Sequence, residues 1–572
     1  MTKLSRRSAI QGLAATAAAA VGIHRVSGQV APAPAGQAPT TAPIAPAPAP
    51  IVAPEGFGVV KGPYQPTFES LSNREIPEWY RDAKFGIWAH WGPQCQPEQG
   101  DWYAQRMYQF NGDAYKFHVQ HYGHPSKFGF KDVCNVWKAE NWDPVALIDR
   151  YKKAGAKFFA AMANHHDNMD MFDSTYQPWN SVRIGPKKDI VGEWAKAARD
   201  AGLRLAVSSH AGRAWSWYNV AQSADPSGPM AGVRYDGVMT KADGAGKWWE
   251  GLDPQDLYAQ YHAPGPARGA RGGPPTAPAA VGGRRGPRNV GDRNYTEKYF
   301  YRIVDLINKY DPDILYFDDA VLPLYPSTDV GLRIMAYLYN KSIERHGKLD
   351  CVMTGKNLSP DQRKAILLDL ERAVTGGADP IPWQTDTCIG EWHYRRSVFD
   401  RHRYKTARQV VQMLVDIVSK NGNLMLNIPL PGNGMPDDDE LKVLDGLTQW
   451  IGPNGEGIYG TRPWVVYGEG PSTSGPQRRG MGSDVRAYTS ADVRFTKKGE
   501  VVFAFVMDWP EAGKATIKSL AAGSQNFPGQ IGKVELLGGG QVKFTRDGSG
   551  LVVNMPEQKP NEYAYCLKIT PA

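Results

Sequence analysis

DPDILYFDDAVLPLY (311–325) sets the problem. An apolar run, Ile314-Leu315-Tyr316-Phe317, ends on two adjacent carboxylates, Asp318 and Asp319, and a proline-containing loop follows. Successive side chains of an extended strand point to opposite faces, so at most one of the two acids can face the centre of whatever the strand helps to build. Phe317 is the more natural residue to bury against helices. That choice puts Tyr316 and Asp318 on the inner face and turns Asp319 toward the loop.

The pattern of apolar run followed by polar residue recurs. The other runs are KFGIWAHW (84–91), AKFFAAMANHH (156–166), LRLAVSSH (203–210), LDCVMTG (349–355), ILLDLER (366–372), PWQTDTCI (382–389) and NLMLNIP (423–429). Helical segments such as DPVALIDRYKKAGA (143–156), VGEWAKAARDAG (191–202) and RQVVQMLVDIVSKNG (408–422) lie between several of them, each closing near a glycine as helix ends do. Strands alternating with helices predict a parallel sheet, and eight runs predict an enlarged (β/α)8-like (TIM) barrel over 65–465. The segment KNLSPDQRKA is too short to hold an ordinary crossover helix between the fifth and sixth runs. In a barrel the polar run ends gather at one mouth: His90, His165, His166, His210, Asp318, Glu371, Asp386 and Asn427. The fifth run closes on glycine and is assigned no such residue. After GIYGTRPW (457–464) the period changes to two, broken by Gly and charged turns, which predicts a C-terminal antiparallel β-sandwich over 466–572.

Paired Arg6 and Arg7 ahead of the alanine-rich GLAATAAAAVGI read as a twin-arginine-type export signal over 1–28, followed by an Ala/Pro-rich linker to residue 64. The net charge of +8 resides in two places. Residues 1–54 carry four basic residues and no acid, and the Gly/Pro/Arg-rich insertion 262–293 carries six arginines and one aspartate, which leaves the remainder near −1. A basic surplus confined to a leader and a loop argues against nucleic acid as a partner. The leader's apolar stretch is too short to span a bilayer and no other run is long enough, so no stable membrane anchor is expected once the signal is removed. The five cysteines form no CxxC spacing, which argues against a disulfide framework or zinc knuckle.

The chain has 17 tryptophans, and Trp88, Trp102, Trp215, Trp217, Trp383 and Trp392 are among those flanking strand ends. Flat rings beside His, Asn and Asp suit a sugar, whose C–H faces pack on aromatics while its hydroxyls need polar partners. In that setting Asp318 is either a strand-end cap or a nucleophile toward an anomeric carbon. His165-His166-Asp167 suggests a metal at first sight, but adjacent strand histidines diverge and no HExxH or spaced third ligand accompanies them. The Gly-containing loops GKNL and PLPGNG lack phosphate-loop spacing. Neither a metal nor a cofactor is expected.

At WYRDAKFGIWAHWG (79–92), FFAAMANHHDNMDMFDSTYQPWNSV (158–182), GPKKDIVGEWAKAARDAGLRLAVSSH (185–210), PDILYFDDA, PWQTDTCIGEWHY (382–394), LVDIVSKNGNLMLNIP (414–429) and NGEGIYGTRPW (454–464), the chain resembles the α-L-fucosidases of glycoside hydrolase family 29. The resemblance covers nearly the whole length after the leader. It implies a barrel followed by a β-sandwich, and hydrolysis of terminal α-L-fucosides of oligosaccharides or glycoconjugates with retention, without metal. It places the nucleophile at Asp318 rather than Asp319. His90, His165 and His166 would bind fucose hydroxyls, Trp88 and Tyr316 would pack around the ring, and His210, Asp101 and Trp383 are further candidate contacts. The general acid/base is assigned to Glu371 in Asp369-Leu370-Glu371-Arg372, with Asp386 and Glu391 as alternatives. Asp101-Trp102-Tyr103 stands where the family often has Glu-Trp-Tyr, and the 262–293 insertion is unusual for it. The competing readings are an α-L-galactosidase on the same scaffold and a non-catalytic carbohydrate-binding protein.

Overall fold

The computed structural model describes residues 45–263, 290–474, 482 and 484–572. The leader, the linker up to residue 44 and residues 264–289 of the insertion lie outside the described residues. Eight parallel strands close a barrel in sequence order: β1 (Phe85–Ala89), β2 (Phe158–Asn164), β3 (Arg204–Ser209), β4 (Ile314–Phe317), β5 (Val352–Gly355), β6 (Leu367–Glu371), β7 (Trp383–Cys388) and β8 (Gly422–Asn427).

The register explains what lies inside. Trp88 pairs with Ala160, Ala160 with Ala206, Ala206 with Ile314 and Ile314 with Val352. These residues share one buried cluster with Tyr316 and Met425, the barrel interior. Their strand neighbours Ile87, Phe159, Val207, Leu315 and Phe317 belong to the separate core packed against the helices. Close packing of β1 on β2 requires Gly86, where a Cβ would come within 2.2 Å of the Phe158 ring.

Most crossovers carry a helix whose start the local sequence encodes. Asp189 caps Ile190–Asp200, Asp292 caps Arg293–Tyr310, and Thr406 with Gln409 forms a capping box on Ala407–Ser419. Two crossovers differ. Between β5 and β6 there is only the four-residue helix Gln362–Ala365, and the β6–β7 connection contains no helix. The ring closes there nonetheless, because β5–β6 and β6–β7 pair directly.

The C-terminal part contains a six-stranded antiparallel sheet built from β9 (Arg462–Glu469), β10 (Val493–Lys498), β11 (Val501–Val506), β13 (Ile531–Leu536), β14 (Gly540–Gln541) and β17 (Tyr565–Pro571). A three-stranded sheet of β12 (Lys514–Ile517), β15 (Phe544–Asp547) and β16 (Gly550–Asn554) covers it, and both sheets contribute to one apolar core through Phe495, Ala504, Ile517 and Val553. Its first strand begins at Arg462, a few residues before the expected boundary. Helix Ala407–Ser419 joins the two parts: buried Arg494 donates from Nε to Asp416 Oδ1 at 2.6 Å, and Lys420 donates to Asp416 Oδ2 at 2.7 Å. Among the described residues no helix is long and apolar enough to cross a membrane.

Candidate active site

The C-terminal ends of the strands deliver a histidine-rich wall and a carboxylate-rich wall. His90 follows β1, His165 and His166 follow β2, and His210 follows β3; all four are buried. Trp88 lies against Tyr316 with ring centroids 4.9 Å apart, and His210 stacks on Trp88 at 5.8 Å and 11°. His166 donates from Nδ1 to the His210 carbonyl at 2.7 Å, which leaves Nε2 as its acceptor nitrogen. Burial lowers the basicity of His166 to a pKa of about 4 and of His210 to about 3, and holds His90 and His165 well below the ordinary histidine value. Four neutral imidazoles thus face the mouth. Both ring nitrogens of His90 and the indole N–H of Trp88 are buried without a protein partner among the described residues.

The opposite wall centres on Lys356, the residue immediately after β5. Its Nζ donates to Asp318 Oδ1 at 2.8 Å, Glu371 Oε2 at 3.1 Å and Asp386 Oδ2 at 3.3 Å, and lies 3.8 Å from Asp369. Burial alone would raise the Asp318 carboxyl, but Lys356 foremost, with Arg213 also close, holds it well below the usual carboxylate range. Glu371 moves the other way: burial, Asp386 and Asp318 raise it despite Lys356. The two acids are therefore pushed apart, Asp318 held low and Glu371 raised, a pairing suited to nucleophile and acid.

Strand alternation separates the two aspartates of 311–325. Asp318 follows Tyr316 inward to Lys356, whereas Asp319 turns to Arg213, whose Nε is 3.3 Å from its Oδ1. Arg213 also donates to the Asp318 carbonyl at 2.6 Å. The following loop is tied to β5 by the Val321 N–H, which donates to the Lys356 carbonyl at 2.7 Å. Val321 is held at φ 67°, a left-handed conformation that a β-branched residue adopts only when its surroundings enforce it.

Other expected residues fall differently. Asp386 is sealed inside, accepting from the Tyr316 hydroxyl at 2.8 Å. Glu391 pairs with Arg395 at 2.9 Å and its second oxygen lies 3.4 Å from the Asp101 nitrogen, so it is outside the Lys356 cluster. Asp101 accepts from the His393 backbone N–H at 2.8 Å and lies 3.5 Å from its ring Nδ1, acting as a support for His393. Trp383 is not brought to the mouth. As the first residue of β7 it points outward into the helix-side core and donates to the Lys420 carbonyl at 2.9 Å. Trp383 flanks a strand end, as expected, but alternation along PWQTDTCI sends Trp383 and Thr385 outward and Gln384 and Asp386 inward, so it is not a sugar contact.

Two residues escaped the sequence reading. Lys356 stands one position beyond the run that closed on glycine, so the rule that found the other strand ends would have reached it. His393, fully buried in the loop after β7, has ring centroids 4.6 Å from both His90 and His165. No local signal marks it; only folding brings it there.

An eight-stranded barrel whose mouth joins paired carboxylates to a wall of buried, neutral histidines defines a candidate glycoside hydrolase. The family model for α-L-fucosidase matches residues 54–456 and that for the α-L-fucosidase C-terminal domain matches 487–570, so the chain belongs to the α-L-fucosidase family, glycoside hydrolase family 29. It is 24% identical over 522 residues to the tissue α-L-fucosidase of Homo sapiens, covering 89% of this chain and 92% of that one. The fold is similar to that of Thermotoga maritima α-fucosidase in complex with fucose, at a TM-score of 0.61 and 24% identity, with 89% of this chain and all of that one covered. It is also similar to a Bacteroides thetaiotaomicron family 29 α-L-fucosidase trapped as a covalent intermediate in a glutamate-to-glutamine variant, at a TM-score of 0.55 and 15% identity, covering 91% and 100%.

Proposed function

We propose that the chain is an exported, retaining exo-α-L-fucosidase acting on terminal α-L-fucosyl residues of glycans. The observation that carries the mechanism is the Lys356 bridge. Bonds of 2.8 and 3.1 Å from one nitrogen keep an oxygen of Asp318 and one of Glu371 within about 6 Å of each other, compatible with the roughly 5–5.5 Å of retaining pairs. Asp318 attacks the anomeric carbon as the bond to the leaving oxygen breaks, and Glu371 gives that oxygen its proton. The product is a fucosyl ester on Asp318. Esterification removes the Asp318 charge, which makes Glu371 a stronger acid and readier to stay deprotonated. Glu371 then takes a proton from water, which attacks the same carbon and frees Asp318. The trapped Bacteroides intermediate supports a covalent route in this family. The neutral wall of His90, His165, His166 and His210 is suited to hydroxyls, and Trp88 with Tyr316 to the ring.

Aryl glycosides test this. Asp318→Ala should abolish turnover of an aryl α-L-fucoside, with partial rescue by azide. Glu371→Ala should spare substrates with very good leaving groups and lose those with poor ones, whereas Glu391→Gln should show no such dependence. Turnover of an α-L-galactoside in preference to the fucoside, or sugar binding without turnover, would overturn the assignment. The twin-arginine reading of the leader predicts that Arg6→Lys with Arg7→Lys retains the protein in the cytoplasm.

A further inference from the structure

Strands β1, β2, β7 and β8 are buried along their whole length, whereas Leu368, Leu370 and Glu371 of β6 are only half-buried. No crossover helix follows β6, and among the described residues it pairs with β5 only at Thr354–Leu367 and Gly355–Leu368. A general acid must be held within a fraction of an ångström of its proper place, so this strand end needs another support. Arg372, the next residue, is tied on every side. Its N–H donates to the Asp386 carbonyl at 2.8 Å, and its own carbonyl accepts from the Gly482 N–H at 2.9 Å. Its Nη2 donates to the Gly390 carbonyl at 2.9 Å and to Cys388 Sγ at 3.1 Å. These bonds hold Arg372 at φ 49°, a left-handed turn directly after Glu371.

Gly482 lies in the chain between β9 and β10, beyond the barrel in sequence. Two residues on, buried Asp484 accepts from Thr387 Oγ1 at 2.7 Å and lies 3.6 Å from Lys405 Nζ, and Val485 packs on the helix-side core. Alternation along β7 turns Thr387 outward where Asp386 faces inward. One stretch of the C-terminal part thus grips the ends of both β6 and β7 from outside.

We propose that Arg372 is a positioning residue for Glu371, and that Gly482 and Asp484 buttress it from the C-terminal part in place of the crossover helix that β6 lacks. The inference rests on the reading of Glu371 as acid/base. Arg372 acts through the turn it fixes, which sets the direction in which β6 leaves the mouth and so the reach of Glu371 toward the leaving oxygen. Loosening that turn harms proton transfer and spares the attack by Asp318.

The test measures kcat/KM of the full chain on aryl α-L-fucosides of graded leaving-group acidity. Arg372→Met should lower turnover of the poorest leaving group about 10–100-fold and that of the best by no more than about threefold. Arg372→Lys should restore part of the loss. Asp484→Ala, remote from the pocket, should steepen the leaving-group dependence in the same sense, by about three- to tenfold. In a Glu371→Ala background, Arg372→Met should lower turnover less than about twofold further, because the group it positions is gone. A merely structural role would depress all substrates equally and would persist in that background, so either result would overturn the proposal. Should Arg372→Met fail to fold, Arg372→Lys and Asp484→Ala give the same reading. An unaltered dependence in folded Asp484→Ala would overturn the buttress. Glu371→Ala without any leaving-group dependence would instead refute the acid/base reading, so the two failures are separate results.

Discussion

Replacing Lys356 by methionine removes the charge that holds the carboxylate wall together and keeps most of the side-chain volume. At 2.8 Å, with an effective dielectric constant of about 20, the attraction of Lys356 for Asp318 is about 6 kcal/mol before desolvation is subtracted. Removing one partner of a buried ion pair has a net effect of about 3–5 kcal/mol. Asp318 retains Arg213 nearby, and its side chain is 23% exposed, so a part of that total falls on its own ionisation. At about 1.4 kcal/mol per pKa unit, that part raises the Asp318 pKa by about 1–2 units.

The sign is the same for both acids. Lys356 lowers the pKa of Asp318 and, against the other influences, that of Glu371. Its removal therefore raises both, and the whole bell of kcat/KM against pH moves to higher pH, the acid limb following Asp318 and the alkaline limb Glu371. The assay is kcat/KM for an aryl α-L-fucoside across the pH range in Lys356→Met, with Lys356→Arg as the charge-conserving control, whose limbs should stay within about half a unit. Limbs that stay in place in Lys356→Met, or that move in opposite directions, would refute the electrostatic role assigned to this lysine.

Arg494→Met should reduce unfolding free energy by about 3 kcal/mol in chemical denaturation, because buried Asp416 then keeps only Lys420. Although burial raises it, Lys420 and Arg494 hold Asp416 well below the usual carboxylate range, so its contribution is present above the unfolded carboxyl pKa of about 3.9 and is lost as pH falls; the variant should begin to lose stability at a higher pH than the wild type. Trp383→Ala should destabilise the fold by about 3–5 kcal/mol while leaving KM for the aryl fucoside within about twofold in the folded fraction. A tenfold rise in KM would return Trp383 to the substrate.

The barrel and most of its mouth were legible in the sequence because each strand carries its own information. Alternation along ILYFDD distinguishes Asp318 from Asp319, and the polar residues at run ends name His90, His165, His210 and Glu371 without knowledge of neighbours. A tryptophan at a strand end does not by itself reveal its face: Trp383 packs outward into the helix-side core while Asp386, three residues on, points inward. Lys356 lay within reach of the run-end rule, but its importance did not: one ammonium serving Asp318, Glu371 and Asp386 is a relation between four strands. His393 and its support by Asp101 join the loops after β7 and β1, nearly three hundred residues apart. Strand periodicity is a property of short segments, so the sequence by itself determined which faces and ends bear chemistry. Which charges and rings meet depends on the closure of the ring, since pairing across a barrel is set by register and curvature, and only the tertiary structure decided that.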